Sequence, residues 1–234
     1  RRVAGHAAEA GESGQALENR EDELFRELDT VITWALRLTD PPSVPRGSRE
    51  REVEGHSNLI PEMQQAMNEL AAAPGVRTVC EIGFNGGHGT LRWLLRSRAR
   101  VFSFDLGEHD YSRPAAEWLE ANFPGRLHVT WGDSVSALPE FHAQHPEVQC
   151  DLIFVDGGHS KDVAAADLKH FASMANPARH RVLLDDTHLS GPDDAWKELV
   201  GAGQAVELRR ASGHQHGVGD YGFVVGSYAA PAAA

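Results

Sequence analysis

Acidic and imidazole side chains gather in two short segments of this 234-residue chain. One reads Phe154-Val155-Asp156-Gly157-Gly158-His159 and the other Leu183-Leu184-Asp185-Asp186-Thr187-His188. Each opens as an apolar run and closes in carboxylates followed by a histidine. Brought side by side, these ends would place three carboxylates and two imidazoles together, and crowded like charges are costly without a counter-ion. Hard oxygen donors in a partly open cluster suit Mg²⁺, Mn²⁺ or Ca²⁺ better than a tetrahedral zinc site, which takes more Cys or His. A histidine, with an unperturbed pKa of about 6.5, can accept a proton near neutrality. Taken singly, the same residues also have ordinary uses: Asp185 or Asp186 can cap the next turn, and His159 can bond to backbone.

A second chemistry-bearing stretch is Glu81-Ile82-Gly83-Phe84-Asn85-Gly86-Gly87-His88-Gly89-Thr90. Its glycines let the backbone turn tightly and approach a ligand, and a helix starting there offers free N–H groups. The same glycines would equally serve a plain strand-to-helix connection. Strict G-x-G-x-x-G fails because Asn85 stands at the second glycine position, which weakens a nicotinamide-dinucleotide reading. Asp105 ends the next apolar run, where a carboxylate can accept from both hydroxyls of a ribose. Gly132-Asp133-Ser134 ends the following run, placing a carboxylate and a hydroxyl within reach of an adenine amino group. A nucleoside-containing cofactor fits this succession.

The elements that must position these residues alternate. Apolar runs at Thr78–Ile82, Arg100–Phe104, Leu127–Trp131, Leu152–Val155 and Val182–Leu184 read as strands. Helical stretches are expected around Leu91–Leu95, Ala115–Asn122, Val163–Met174 and Ala195–Val200. Such alternation predicts an α/β, Rossmann-like doubly wound sheet with helices on both faces. Two closing runs, Ala205–Arg210 and Tyr221–Val225, have no helix between them and are expected to pair antiparallel at one edge.

Upstream, residues 1–20 read as disordered or linker, and 21–74 as a helical cap that covers the pocket or mediates homo-oligomer formation. Leu24, Leu28, Val31/Ile32, Ala35 and Leu38 mark the apolar face of its first helix. Residues 75–228 form the main domain, and 229–234 a disordered tail. Cys80 and Cys150 sit in apolar runs without ligand spacing and read as free core thiols. His56, His88, His109, His188, His214 and His216 read as loop residues, with His56 and His188 favoured to touch substrate; Trp93 and Trp118 read as core.

Composition bounds the function class. Hydrophobic residues make up 41% and charged residues 24%, and Lys+Arg 22 against Asp+Glu 34 gives a net charge of −12. That balance disfavours nucleic acid and anionic membranes and favours a small neutral or cationic partner. No run approaches the roughly 18 apolar residues of a membrane span. The sequence opens on Arg1 rather than Met, which leaves any removed address unread; the cytoplasm is the default expectation.

From about Val76 to Gly226 the succession Glu81-Ile82-Gly83 to Gly89, Asp105, Gly132-Asp133-Ser134 and Val155-Asp156 resembles the motifs of class I S-adenosylmethionine-dependent methyltransferases. The resemblance implies a seven-stranded sheet and a cofactor set of Glu81, Gly83, Phe84, Asn85, Gly86, Asp105, Leu106, Asp133, Ser134 and Asp156. Within it, Glu81 and Gly83 would lie against the methionine part, Asp105 against the ribose, and Asp133 with Ser134 beside the adenine. The acidic cluster is similar to that of the metal-dependent small-molecule O-methyltransferases, including those acting on macrolide sugars. This implies Mg²⁺ or another divalent cation on Asp156, Asp185 and Asp186, with His159 as the base that deprotonates a hydroxyl of a small-molecule acceptor. Catechol-type relatives place lysine at the base position, and sugar-type relatives place histidine, as here. The rival readings are a metal-independent N- or C-methyltransferase and a non-catalytic S-adenosylmethionine-binding module.

Overall fold

The computed structural model describes residues 14–39 and 59–229. Five β-α units follow two leading helices: α1 (Gly14–Thr39), α2 (Pro61–Ala71), β1 (Thr78–Ile82), α3 (His88–Arg96), β2 (Arg100–Asp105), α4 (Ser112–Asn122), β3 (Leu127–Trp131), α5 (Ser134–Gln144), β4 (Leu152–Val155), α6 (Lys161–Met174), β5 (Arg181–Leu184) and α7 (Ser190–Gly201). A hairpin of β6 (Ala205–Gln215) and β7 (Gly219–Tyr228) closes the described chain. Together the strands make one sheet of order β3-β2-β1-β4-β5-β7-β6. β1 to β5 run parallel, and β7 pairs antiparallel with both β5 and β6. Strand order reverses between β1 and β4, so the crevice at their carboxyl ends is where such a sheet takes a ligand.

The central strands are buried on both faces, which is why they read as unbroken apolar runs. Alternate residues feed two cores. Val79, Val101, Leu152 and Phe154 face α1 to α4, whereas Cys80, Phe104, Ile153 and Val155 face α5 to α7. Leu24, Leu28, Ile32 and Ala35 bury the inner stripe of α1 as their spacing predicts, while Leu38 is 63% exposed. Helix α1 begins upstream of Glu21 and is held to α3 by Glu21, which pairs with Arg92 at 3.2 Å and with Arg96. The connector expected at Arg46–Gly55, with His56, lies outside the described residues, as does most of the 229–234 tail.

Three features differ from expectation. Cys80 and Cys150 form a disulfide, with Cα atoms 5.7 Å apart, rather than two free thiols. The reason is topological: β1 and β4 are far apart in sequence but adjacent in the sheet, and both cysteines point into the same core. Helix α5, for which no stretch is singled out in the sequence, runs through Pro139 and is capped by Asp133, whose carboxylate accepts from the Val135 N–H at 3.0 Å. The stretch joining the two closing runs is itself mostly strand, because Tyr221 packs over Gly213 and extends the hairpin to its tip. No described helix is long and apolar enough to cross a membrane.

Candidate functional site

Ladder hydrogen bonds continue past the strand ends and align their tips. Gly83 N–H donates to Phe104 O at 2.9 Å, Asp156 N–H to Ile82 O at 3.0 Å, Asp185 N–H to Val155 O at 2.9 Å and Gly132 N–H to Asp105 O at 2.8 Å. The result is a cleft of about 830 Å³ running across the carboxyl edge of the sheet. From one end to the other its wall passes through the tips of β3, β2, β1, β4 and β5 and ends at the start of β7.

On the β3 to β1 side, Gly83, Asn85, Asp105, Leu106, Asp133 and Ser134 all line the cleft. Gly83 has φ +91°, and a Cβ there would stand 1.8 Å from the Asp156 carbonyl oxygen, so only glycine lets β1 and β4 turn together. Asn85 is left-handed at φ 51°; its N–H donates to Asp105 Oδ2 at 2.9 Å, and its side-chain oxygen accepts from Tyr111 Oη at 2.7 Å. Gly107 N–H donates to the other Asp105 oxygen at 2.7 Å. Each carboxylate oxygen keeps a second lone-pair site for a hydroxyl. Leu106 follows and is 58% exposed.

Glu81, Phe84 and Gly86 are not on the cleft wall but beneath it. Phe84 packs edge-on against Trp131, and Gly86 lies against Ile32 of α1. Glu81 is fully buried in β1 and accepts from Trp93 Nε1 at 2.8 Å, Ser103 Oγ at 2.8 Å and Thr90 Oγ1. Burial outweighs these bonds and raises the Glu81 carboxyl to about 7. Trp93 is therefore core, as its spacing predicts, and also a donor to this acid. Ser134 faces Asp167 of α6, a buried carboxyl that desolvation raises to about 6.

The β4 and β5 tips bring Asp156, His159, Asp185, Asp186 and His188 to the same cleft. Asp186 is left-handed, φ 57°, and with Asn85 is one of two such non-glycine residues among those described. That backbone turns its carboxylate to His159, Oδ2 to Nε2 at 2.8 Å, and sets Oδ1 3.8 Å from His188 Nδ1. Asp185 is half-buried, its Oδ1 accepts from the Asp186 N–H at 2.8 Å, and desolvation together with the neighbouring Asp186 charge raises its pKa.

As a donor set three carboxylates would suit a divalent ion, but among the described residues no three His, Cys, Asp or Glu side chains are grouped so as to hold one. The expected convergence of Asp156, Asp185 and Asp186 is not met, because Asp186 is turned toward imidazole. In this arrangement the residues do not fit the metal.

Beyond β5 the wall is built from residues that no motif singles out: Ile60 ahead of α2, and Val218, Asp220 and Tyr221 at the hairpin. Tyr221 donates to Glu62 Oε2 at 2.7 Å. Only their topology assigns them to the site. His109, stacked on Tyr111, and Glu108 line the cleft near Asp105. Of the other histidines, His88 is buried in α3 against Asp29, and His214 is paired at the hairpin surface with Asp220 at 2.8 Å.

Residues 80–187 match the family model of a methyltransferase domain. No curated protein matches the chain. Among solved structures, it is similar to an O-methyltransferase from Bacillus cereus in complex with SAH, at TM-score 0.61 and 18% identity over 86% of this chain and 90% of that one. The O-methyltransferase TomG from Streptomyces achromogenes, involved in tomaymycin synthesis and solved with SAM, gives TM-score 0.61 and 18% identity over 86% and 88%. CalS11, a TDP-rhamnose 3'-O-methyltransferase of calicheamicin biosynthesis, gives 0.55 and 17% over 83% and 93%. At these identities the likeness is one of fold. By that match residues 80–187 are a methyltransferase domain, and they run from β1 to just past the tip of β5, the stretch that carries the glycine-rich turn and the acidic strand ends.

Proposed function

We propose that the chain transfers a methyl group from S-adenosylmethionine to a hydroxyl of a small molecule, with His159 as general base. The observation that carries this reading is the His159–Asp186 pair, 2.8 Å apart, at the tips of the strands next to the glycine-rich turn. Gly83 and Asn85 border the methionine part of the donor, Asp105 takes the ribose hydroxyls with its remaining lone pairs, and Asp133, Ser134 and Leu106 border the adenine. Asp156 faces the sulfonium end. Glu81, Phe84 and Gly86 hold the turn from below.

With Nε2 2.8 Å from the Asp186 carboxylate, the tautomer protonated at Nε2 is favoured, and Nδ1 is left as the proton acceptor. The acceptor oxygen forms its bond to the methyl carbon as the carbon–sulfur bond breaks, the electron pair stays on sulfur, and the hydroxyl proton passes to Nδ1. The imidazolium so formed is stabilised by the Asp186 carboxylate. Holding donor and acceptor in line makes the transfer effectively unimolecular, a contribution of up to about 7–11 kcal/mol in well-oriented systems.

The test is methyl transfer from labelled S-adenosylmethionine to hydroxyl, amine and carbon acceptors before and after exhaustive chelation. The expected result is an O-methylated product and turnover that survives chelation. Turnover lost with the chelator and restored by Mg²⁺ would mean that Asp186 leaves His159 to join Asp156 and Asp185; an N- or C-methylated product would overturn the assignment of the acceptor atom.

A further inference from the structure

We propose that Asp167, buried behind the cleft wall, is a positioning residue for the donor's base: it takes the Ser134 hydroxyl proton, so that the Ser134 oxygen faces the cleft as an acceptor and selects a 6-amino purine over a 6-oxo one. This rests on the methyltransferase reading above, with Ser134 beside the adenine.

Asp167 lies on α6 four residues after Val163, on the same face of that helix, and Val163 lines the cleft. Its side chain is fully buried, and neither carboxylate oxygen makes a hydrogen bond to a described residue. Two wall residues stand over it. A Cβ on Gly157 would come within 3.6 Å of Asp167 Oδ2, and the Ser134 hydroxyl is near enough to temper the rise in its pKa that burial causes. Even raised to about 6, the carboxyl is mostly ionised at neutral pH and so can only accept. A buried carboxylate without a donor is costly, so this one calls for a proton from its surroundings. The Tyr228 hydroxyl, whose charge Asp167 also opposes, does not supply it, because it donates to Leu168 O at 2.7 Å. Ser134 does.

A serine hydroxyl has one proton and two lone pairs and rotates to suit its partners. Left to itself, Ser134 would serve an amino group as acceptor or a carbonyl as donor equally well. Once its proton is committed to Asp167, only lone pairs face the cleft. The 6-amino group of adenine then finds an acceptor, whereas the 6-oxo group of hypoxanthine meets lone pairs and leaves both sides unpaired, the circumstance in which polar sites discriminate strongly. The neighbouring Asp133 is exposed and occupied as the cap of α5, so water dilutes any preference it adds.

The experiment titrates the full chain by calorimetry with S-adenosylhomocysteine and with S-inosylhomocysteine, which differ only at the 6-position of the base. Absence of binding by either removes the methyltransferase reading itself. The expected preference of the parent for the adenine compound is about 100-fold. In Asp167→Asn the new amide can donate to Ser134 and release the hydroxyl proton toward a carbonyl, so the preference is expected to fall to about tenfold or less. Ser134→Ala, which leaves the core untouched, is expected to bring it to the same level, with no further loss in the double variant. A packing role for Asp167 would weaken both compounds alike and leave their ratio unchanged. A parent with no preference, or a preference that survives Asp167→Asn or Ser134→Ala while S-adenosylhomocysteine still binds, overturns the inference.

Discussion

His159 Nε2 lies 2.8 Å from Asp186 Oδ2, and Asp186 reaches it from a left-handed backbone position, φ 57°. The side chains come from the tips of two adjacent parallel strands, so the pair exists only once β4 and β5 are in register. Asp186→Asn is the informative variant because asparagine also tolerates left-handed backbone, leaving the loop intact while removing the charge that stabilises an imidazolium. We expect kcat to fall about 10²-fold in Asp186→Asn and 10²–10⁴-fold in His159→Ala, with S-adenosylhomocysteine affinity unchanged in both. Steady-state kinetics alongside calorimetry check this; weakened cofactor binding would move the pair out of the acceptor end.

Gly83 faces the Asp156 carbonyl so closely that no Cβ can be accommodated. Gly83→Ala is expected to cost about 3 kcal/mol or more and to abolish S-adenosylhomocysteine binding, since β1 and β4 would have to part. Gly125→Ala is the control: it is equally left-handed, φ +73°, but nothing lies within 4 Å of a Cβ there, so only about 1–2 kcal/mol of backbone strain is expected. Urea denaturation of the two variants gives the comparison.

Glu81 has a folded pKa of about 7 against an ordinary value of 4.5, because burial disfavours its charge. The folded state therefore holds this proton where the unfolded state has released it. Stability from Glu81 is fully present below pH 4.5, declines as the pH rises and is lost above about 7, a loss on the order of 3 kcal/mol. Glu81→Gln is expected to remove that part of the slope. A parent and variant with parallel stability profiles from pH 4.5 to 7.5 would refute the assignment.

The Cys80–Cys150 disulfide closes a loop with sequence separation 70. Loop-closure entropy alone predicts that breaking it costs about 4 kcal/mol. Both sulfurs are buried, so reduction should need denaturant; unfolding midpoints of the oxidised protein and of Cys80→Ala/Cys150→Ala measure the difference.

How much of this was legible in the sequence depends on whether the signal was local. Strand runs such as Leu152–Val155 are continuous and apolar, and the residues that follow them fall on the cleft because a doubly wound sheet puts strand tips there. Gly83, Asp105, Asp133 and Ser134 were readable for that reason. The disulfide was not, since spacing along the chain says nothing about β1 lying next to β4. Nor was the Asp186–His159 pair, which depends on one backbone angle. Asp220 and Tyr221 carry no motif and reach the cleft through antiparallel pairing of β7 with β5. Helix α5 was hidden by Pro139, which deprives the helix of an amide donor yet is tolerated.

Ile32 sits so near Gly86 that a methyl group on that glycine would come within 2.9 Å of its Cδ1. The leading helix thus acts as the foundation of the glycine-rich turn, although the two are separated by more than fifty positions along the polypeptide. A shortened protein starting after residue 40 would keep every strand and every polar group of the crevice, yet it would leave the underside of that turn open to solvent. A piece expected to keep the turn in place therefore includes the amphipathic segment ahead of it.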